Sequence, residues 1–324
     1  MDLFSERSLP DDAKGYLTAL EKKGRQPSTI KRYAYDLEDF YLWLRAGTDN
    51  IPWNSVSSKE IEKYLLYLKE QKQYAPRTID RIWTVLKRFY AYFHELGVVK
   101  NNPAAMVVFD HDEINDRFSQ GDFISKQEAE KLLRSIPSSA GLSENQQESR
   151  IYLAGRNLAM ITLFLHYGPT LTELVALRMS DVHFESNEID ISSVSSISRT
   201  IRLKSNDMHL LFYYYHKIPQ AVRPRRYSSD PLFAAFDFQR NTYRWDYSVD
   251  APKALTEIAV QKMMRQEVQR AGLRKGISAQ HLRRTCILRM LEQGEPPETV
   301  QTLTGLKTRL SLKRYFQFIN YASA

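Results

Sequence analysis

The feature that most restricts the fold is a helical repeat of apolar residues that runs through most of the chain. Between Arg77 and Leu96 the repeat predicts one long helix with a single apolar face, and Gly97 is the expected stop signal after it. The apolar positions of this helix are Ile79, Ile82, Leu86, Phe89, Tyr90 and Phe93. The first hundred residues contain four or five such patterns, and Ser57 with Glu60 forms a capping box at the start of one. The sequence therefore predicts a mainly helical protein.

A polar, acidic stretch interrupts the helical pattern after the first hundred residues. A second capping box, Ser125 with Glu128, then begins a new helical series. Within that series, Glu188 to Leu203 is rich in Ile, Val, Ser and Thr with alternating apolar positions, which is typical of a short β-meander. We predict an α+β fold, mainly α with a small β-meander, in two domains. The predicted parts are residues 1–106, a linker at 107–121 and residues 122–324.

Composition narrows the classes of function. The 324 residues contain 46 Lys and Arg against 38 Asp and Glu, a net charge of +8 that favours a polyanionic partner. The single cysteine, Cys286, excludes an internal disulfide. No apolar run of about 18 residues and no basic-then-apolar leader are present, so we expect a cytoplasmic protein without a membrane span. Glycine-rich phosphate loops and metal-binding spacings are absent, so we expect no cofactor, no metal and no small-molecule substrate.

Three segments of the second predicted domain together resemble the tyrosine recombinase (phage integrase) family. They are residues 167–182 (YGPTLTELVALRMSDV), 280–285 (QHLRRT) and 303–315 (LTGLKTRLSLKRY). The first domain is similar to the helical, SAM-like core-binding domain of that family, through residues 27–33 (PSTIKRY), 75–81 (APRTIDR) and 101–105 (NNPAA). The resemblance covers roughly residues 10–320. It implies a C-shaped clamp of two domains that closes around double-stranded DNA in a bacterial host cell, in association with the nucleoid.

The resemblance also sets out a cleavage chemistry that this chain departs from. In the family a tyrosine attacks the scissile phosphate and forms a 3′-phosphotyrosyl link, while two arginines, a lysine and two histidines assist. By resemblance, Tyr315 stands at the nucleophile position and Arg283 at the second arginine. The positions of the first arginine, the lysine and the two histidines hold Thr170, Val194, Gln280 and Leu306, respectively. Four replacements among six positions predict that cleavage is lost, since one missing donor typically costs about 10²–10³ in rate.

A recombinase fold without cleavage predicts a sequence-specific double-stranded DNA-binding protein, with a transcriptional repressor of a phage or prophage as the favoured role. Phosphate contacts give such a protein its affinity. The expected DNA-contacting residues are Lys31, Arg32, Arg77, Arg81, Arg88, Arg199, Arg283, Arg284, Lys307, Arg309, Lys313 and Arg314.

Two alternatives remain open at the level of sequence. The first is an atypical but active recombinase that uses Tyr315, Arg283 and His281, with Arg199 or Lys204 as a further group. The second is a regulatory partner that binds another recombinase. A monomer in solution or self-association as a dimer on DNA is expected, because only nine residues follow Tyr315.

Overall fold

The computed structural model describes residues 9–47, 51–109, 117–192 and 196–322. The chain divides into two compact units, Met1–Asn115 and Asp116–Ala324. The described residues are mostly helical with small antiparallel sheets, as the sequence predicts. Residues 110–116, the middle part of the predicted linker, and Val194 lie outside the described part of the chain. None of the helices in the described part is long and apolar enough to cross a membrane.

The first unit is a bundle of helices built around aromatic side chains. Its helices are α1 (Asp11–Lys22), α2 (Pro27–Ala46), α3 (Ser58–Glu70), α4 (Pro76–Glu95) and α5 (Pro103–Met106). Proline occupies the first helical position of α2 and α4, where its missing N–H costs no hydrogen bond. The predicted capping box of Ser57 and Glu60 begins α3. The apolar face of α4 is buried along its whole length, so the helical repeat read from the sequence marks the core of this unit.

The second unit is built around one central helix. Its helices are α6 (Lys126–Ser135), α7 (Glu144–Tyr167), α8 (Leu171–Ala176), α9 (Ser205–Lys217), α10 (Glu257–Arg270), α11 (Ala279–Glu292), α12 (Pro297–Thr304) and α13 (Lys313–Ala322). The second half of α7 is buried on all sides, and α9 and α11 pack against it. A helix that is apolar all round belongs inside a domain. α7 therefore fixes the positions of the helices that carry the site described below.

The predicted β-meander is a three-stranded antiparallel sheet in the order β1–β2–β3. The strands are β1 (Val182–His183), β2 (Glu188–Ile191) and β3 (Arg199–Arg202), with Ile189 opposite Ile201. Two further hairpins pair β4 (Phe236–Asp237) with β5 (Thr242–Tyr243) and β6 (Trp245–Asp246) with β7 (Ala251–Pro252). The sequence analysis did not predict these hairpins, because strands of two residues are too short to show an alternating pattern.

Candidate nucleic-acid interface and the position of the tyrosine

Tyr315 lies in the first turn of α13, and its side chain is buried. The ring packs against Phe118, with 4.8 Å between the ring centroids, and against Phe123 at 6.2 Å. Leu312 and Val300 belong to the same apolar cluster. Burial raises the pKa of Tyr315 to about 12, although nearby arginines oppose the rise. The hydroxyl is therefore protonated at neutral pH, and a buried phenol of this pKa is a poor nucleophile.

Arg283 projects from α11 into the interior, where its guanidinium bonds to backbone carbonyls. It donates to the carbonyl of Gly168, just after α7, and to that of Thr304, the last residue of α12, at 2.8 Å. The carbonyls at a helix end lack partners within the helix, so a buried donor there stabilises the fold. Only 6% of Arg283 is exposed. The structure thus places this predicted DNA contact between two helix ends instead of at the surface.

Arg199, on β3, forms a buried ion pair with Glu173 of α8. The two nitrogens Nη1 and Nη2 donate to the two carboxylate oxygens at 2.7 and 3.1 Å, and Nε donates to the carbonyl of Leu303 at 2.8 Å. The side chains of Arg199 and Glu173 are 2% and 0% exposed. Burial tends to raise the pKa of Glu173, but hydrogen bonds from Arg199, Ser196 and the Thr170 amide hold it at about 2.

This position of Arg199 is buried, whereas the predicted DNA contact requires an exposed side chain. Along β3 the side chains alternate between buried and exposed, and Arg199 shares the buried face with Ile201. Gly305 closes the pocket around the guanidinium: a Cβ on Gly305 would meet Nη1 of Arg199, and the backbone φ of +69° also requires glycine. Arg199 therefore holds β3, α8 and α12 together.

Three of the four residues that the sequence analysis assigns to replaced catalytic positions are described, and they have local structural roles or lie at the surface. Thr170 is the N-cap of α8: its hydroxyl accepts from the Glu173 amide at 3.2 Å, and its own amide donates to the Glu173 carboxylate at 2.6 Å. Gln280 is exposed on α11. Leu306 is half-buried and packs against the apolar cluster around Tyr315. Each of these three side chains is neutral, so none can offset the charge that builds on a phosphate under attack.

Of the two residues that the alternative of an active enzyme invokes, His281 has a side-chain partner within the protein, whereas Lys204 is exposed. Nδ1 of His281 lies 2.9 Å from the Ser278 hydroxyl at the start of α11. Burial, together with the charges of Arg284 and Arg274, lowers the pKa of His281, so its ring is neutral at pH 7. The side chain of Lys204 is exposed at the end of the β-meander.

The predicted basic stripe of the first unit has partners of its own. Arg81 is paired with Asp36, which is almost fully buried, and Arg88 donates to the hydroxyl of Tyr33 at 2.7 Å. Arg81 thus neutralises a buried carboxylate, and its removal would leave that charge unpaired. The remaining predicted contacts of this unit, Lys31, Arg32 and Arg77, are exposed on α2 and α4.

A basic cluster surrounds the start of α13 in the second unit. It consists of Arg284, Lys307, Arg309, Lys313 and Arg314, which we call the basic cluster. Lys307, Arg309 and Lys313 are exposed, and Arg309 forms an exposed ion pair with Glu298 at 2.7 Å, an arrangement of small energetic value. These three cations have the exposure that contacts with a polyanion require.

Two residues that sequence reasoning missed contact the basic cluster. Phe118 lies beneath Arg284 and Arg314, and Asp122 accepts a hydrogen bond from Arg284 at 2.5 Å. Both were assigned to the linker or its border because the surrounding sequence is polar. The one available signal was an aromatic residue within that polar stretch. In the described ranges no group of three His, Cys, Asp or Glu side chains is placed to hold a metal ion.

Comparison with known families agrees with the resemblance seen in the sequence. The model of the phage integrase family matches residues 122–319, and that of the phage integrase N-terminal SAM-like domain matches residues 14–97. The chain belongs to the phage integrase family. This phage integrase family member is 22% identical over 284 residues to the tyrosine recombinase XerD of Oceanobacillus iheyensis, covering 88% of this chain and 85% of the relative. It is 24% identical to the tyrosine recombinase XerC of Roseiflexus sp. strain RS-1, covering 98% and 91%.

Solved structures share the fold of this integrase family member. A variant of the Tn1549 transposon integrase in complex with transposon right end DNA matches with a TM-score of 0.69 at 17% identity, covering 97% of this chain and 99% of that one. The XerH site-specific recombinase bound to a palindromic difH substrate matches with a TM-score of 0.66 at 17% identity, covering 97% and 84%. At this level of identity the likeness establishes the fold alone.

Proposed function

We propose that this phage integrase family member is a sequence-specific double-stranded DNA-binding protein that does not cut DNA and that represses transcription in a phage or prophage. The proposal rests on which side chains stand at the positions that cleavage would need, and on what those side chains bond to. Thr170 caps a helix where the family has its first arginine, and Arg283 is bonded to two backbone carbonyls. With the charge-neutralising groups absent or engaged elsewhere, binding without cleavage is the activity that remains.

The DNA-binding part of the proposal is supported by relatives and by charge. The Tn1549 integrase and XerH are bound to DNA in their solved structures. This chain has a net charge of +8, and its exposed cations include Lys31 and Arg77 in the first unit and Lys307 and Lys313 in the second. Contacts of this kind provide affinity and position, whereas base edges and DNA shape provide the choice of site. We propose that exposed cations of both units contact the DNA and that a dimer forms on DNA.

The absence of cleavage is supported by the physical demands of phosphoryl transfer. Attack on a phosphodiester builds negative charge on two oxygens, which guanidinium groups neutralise best. The Arg199 guanidinium is held by Glu173 in a buried ion pair, and 2% of the Arg199 side chain is exposed. The Tyr315 hydroxyl has a pKa of about 12 and lies inside an apolar cluster. A nucleophile without activation and a phosphate without its charge clamp do not react at a useful rate.

One observation favours the alternative of an active recombinase. Three positive charges, those of Arg283, Arg284 and Arg314, lie close enough to Tyr315 to oppose the rise of its pKa. A rearrangement on DNA that exposed Tyr315 next to these arginines would lower the pKa of its hydroxyl and so favour the nucleophilic form. Detection of a covalent link between Tyr315 and DNA separates this alternative from the proposal.

The proposal predicts tight binding to a small number of sites. Fragments of the source genome are incubated with the purified protein at physiological salt with excess competitor DNA, and bound fragments are sequenced. We expect sites bound about 10³-fold more tightly than competitor, together with increased transcription of adjacent genes when the protein is removed. Equal affinity for all fragments would contradict sequence-specific binding. Weak DNA binding combined with a stable complex with an active recombinase would instead support the regulatory-partner alternative.

A further inference from the structure

The carboxylate of Asp122 contacts the basic cluster of the second unit. Its Oδ1 accepts a hydrogen bond from Nη1 of Arg284 at 2.5 Å, and its Oδ2 accepts from the amide of Ser119 at 3.0 Å. Partial burial tends to raise the pKa of Asp122, but the bonds from Ser119 and the positive charges of Arg284 and Arg314 lower it below its usual value. Of the two arginines, Arg284 is the one that bonds this carboxylate directly.

An aromatic ring holds the two arginines together. The Arg314 guanidinium carbon lies 4.0 Å from the centroid of the Phe118 ring, and that of Arg284 lies 5.1 Å from it. Both distances are within the range of cation–π attraction, which offsets part of the repulsion between two like charges. Phe118 in turn packs on Tyr315 at 4.8 Å, so the ring is supported from beneath. The pair of guanidinium groups is thus organised by the fold before any ligand binds.

Arg284 bonds the Asp122 carboxylate, and Arg314 lies over the same Phe118 ring as Arg284, so the two arginines offer an anion-binding site whose ligand is at present part of the chain. A phosphodiester carries the same negative charge on a similar pair of oxygens, and guanidinium binds either group in the same bidentate manner. The side chains of Arg284 and Asp122 are 19% and 29% exposed, so the ion pair is open to solvent on one side. A phosphate approaching from that side would compete with Asp122 for the same donors.

We propose that Arg284 and Arg314 form a binding site for one backbone phosphate of DNA, and that Asp122 occupies this site in the DNA-free protein as an internal competitor. The inference rests on the proposed DNA-binding function. It adds one phosphate contact, and it adds an internal carboxylate that lowers the affinity for DNA. On binding, Arg284 exchanges the Asp122 carboxylate for the phosphate, while Ser119 continues to hold the released side chain through Oδ2.

The test is the variant Asp122→Asn, which keeps the shape of the side chain and removes its charge. We expect it to bind a 20-base-pair duplex of arbitrary sequence about fivefold more tightly than the unmodified protein at low salt, with the salt dependence steeper by about one unit of slope. Glu130→Gln is the matched control, because it makes the same change in net charge at the exposed Glu130–Arg134 pair. We expect the control to change affinity less than twofold.

The proposal would be overturned if Asp122→Asn bound DNA equally to or more weakly than Glu130→Gln. A carboxylate that only positions Arg284 would give this result, because its removal would weaken binding. A second variant, Phe118→Leu, should weaken binding severalfold by releasing the arginines, while circular dichroism checks that it folds. If no protein binds this duplex or a site selected from the source genome at any salt, the proposed function fails. The proposed anion site is then tested by adding inorganic phosphate and measuring thermal unfolding. Phosphate should raise the Tm of Asp122→Asn more than that of the unmodified protein, and equal shifts would overturn the proposed anion site.

Discussion

Replacing Glu173 by alanine should lower the free energy of unfolding of the second unit by about 3–5 kcal/mol, because Arg199 would remain buried with an uncompensated charge. The ion pair joins α8 to β3, and Arg199 also donates to the carbonyl of Leu303. The same change removes the side-chain acceptor for the Thr170 amide at the start of α8. For a unit of this size we expect the midpoint of thermal unfolding to fall by roughly 10 °C.

Differential scanning calorimetry measures this effect while allowing each unit its own transition. The matched control is Glu130→Ala, which removes a carboxylate from the exposed Glu130–Arg134 pair and should change the free energy of unfolding by less than about 0.5 kcal/mol. A loss below about 1 kcal/mol for Glu173→Ala would contradict the view that Arg199 is an internal structural group. Arg199 would then again be a candidate for contact with DNA or for catalysis.

Removing three exposed cations of the basic cluster should greatly weaken the binding of DNA. The variant is Lys307→Ala, Arg309→Ala and Lys313→Ala combined, since these side chains are exposed in the segment leading into α13. Each phosphate contact contributes about 0.9 to the slope of log K against log salt, so the loss of three should reduce the slope by about 2.7. At 0.1 M salt the same contacts account for an affinity loss on the order of 10²–10³.

The measurement is a titration of a selected site by fluorescence anisotropy at several salt concentrations. A control triple variant, Lys253→Ala, Lys262→Ala and Arg265→Ala, makes the same change in net charge at exposed positions outside the proposed contacts. We expect the control to bind within about threefold of the unmodified protein, through long-range electrostatics alone. Similar losses in both triple variants would mean that net charge, and not the basic cluster, determines affinity.

The sequence predicted those parts of the fold that depend on neighbouring residues. The capping boxes at Ser57 and Ser125 and the apolar face of α4 are local patterns, and the structure has helices at all three. The β-meander was visible because four-residue strands are long enough to alternate. The hairpins between Phe236 and Pro252 were missed since each of their strands has two residues.

The candidate site was predicted less completely, because it depends on pairs distant in sequence. Arg199 and Glu173 are 26 positions apart, and a charged residue on the buried face of a strand looks like a surface cation until its partner is known. Arg284 and Asp122 are 162 positions apart. Arg283 was recognised through its motif, but the carbonyls that it bonds come from Gly168 and Thr304 on other elements. Long-range pairing of this kind has no signature in a single sequence.

The measurement that tests the central claim most directly is detection of a covalent protein–DNA adduct. The protein is incubated with a selected site carrying a nick near its centre, so that any cleaved product is trapped, and the mixture is run on a denaturing gel. A tyrosine recombinase acting on its own site is the positive control. We predict that the unmodified protein and Tyr315→Phe bind the site equally and that neither yields an adduct. An adduct formed by the unmodified protein and lost in Tyr315→Phe would contradict the account and establish an active recombinase.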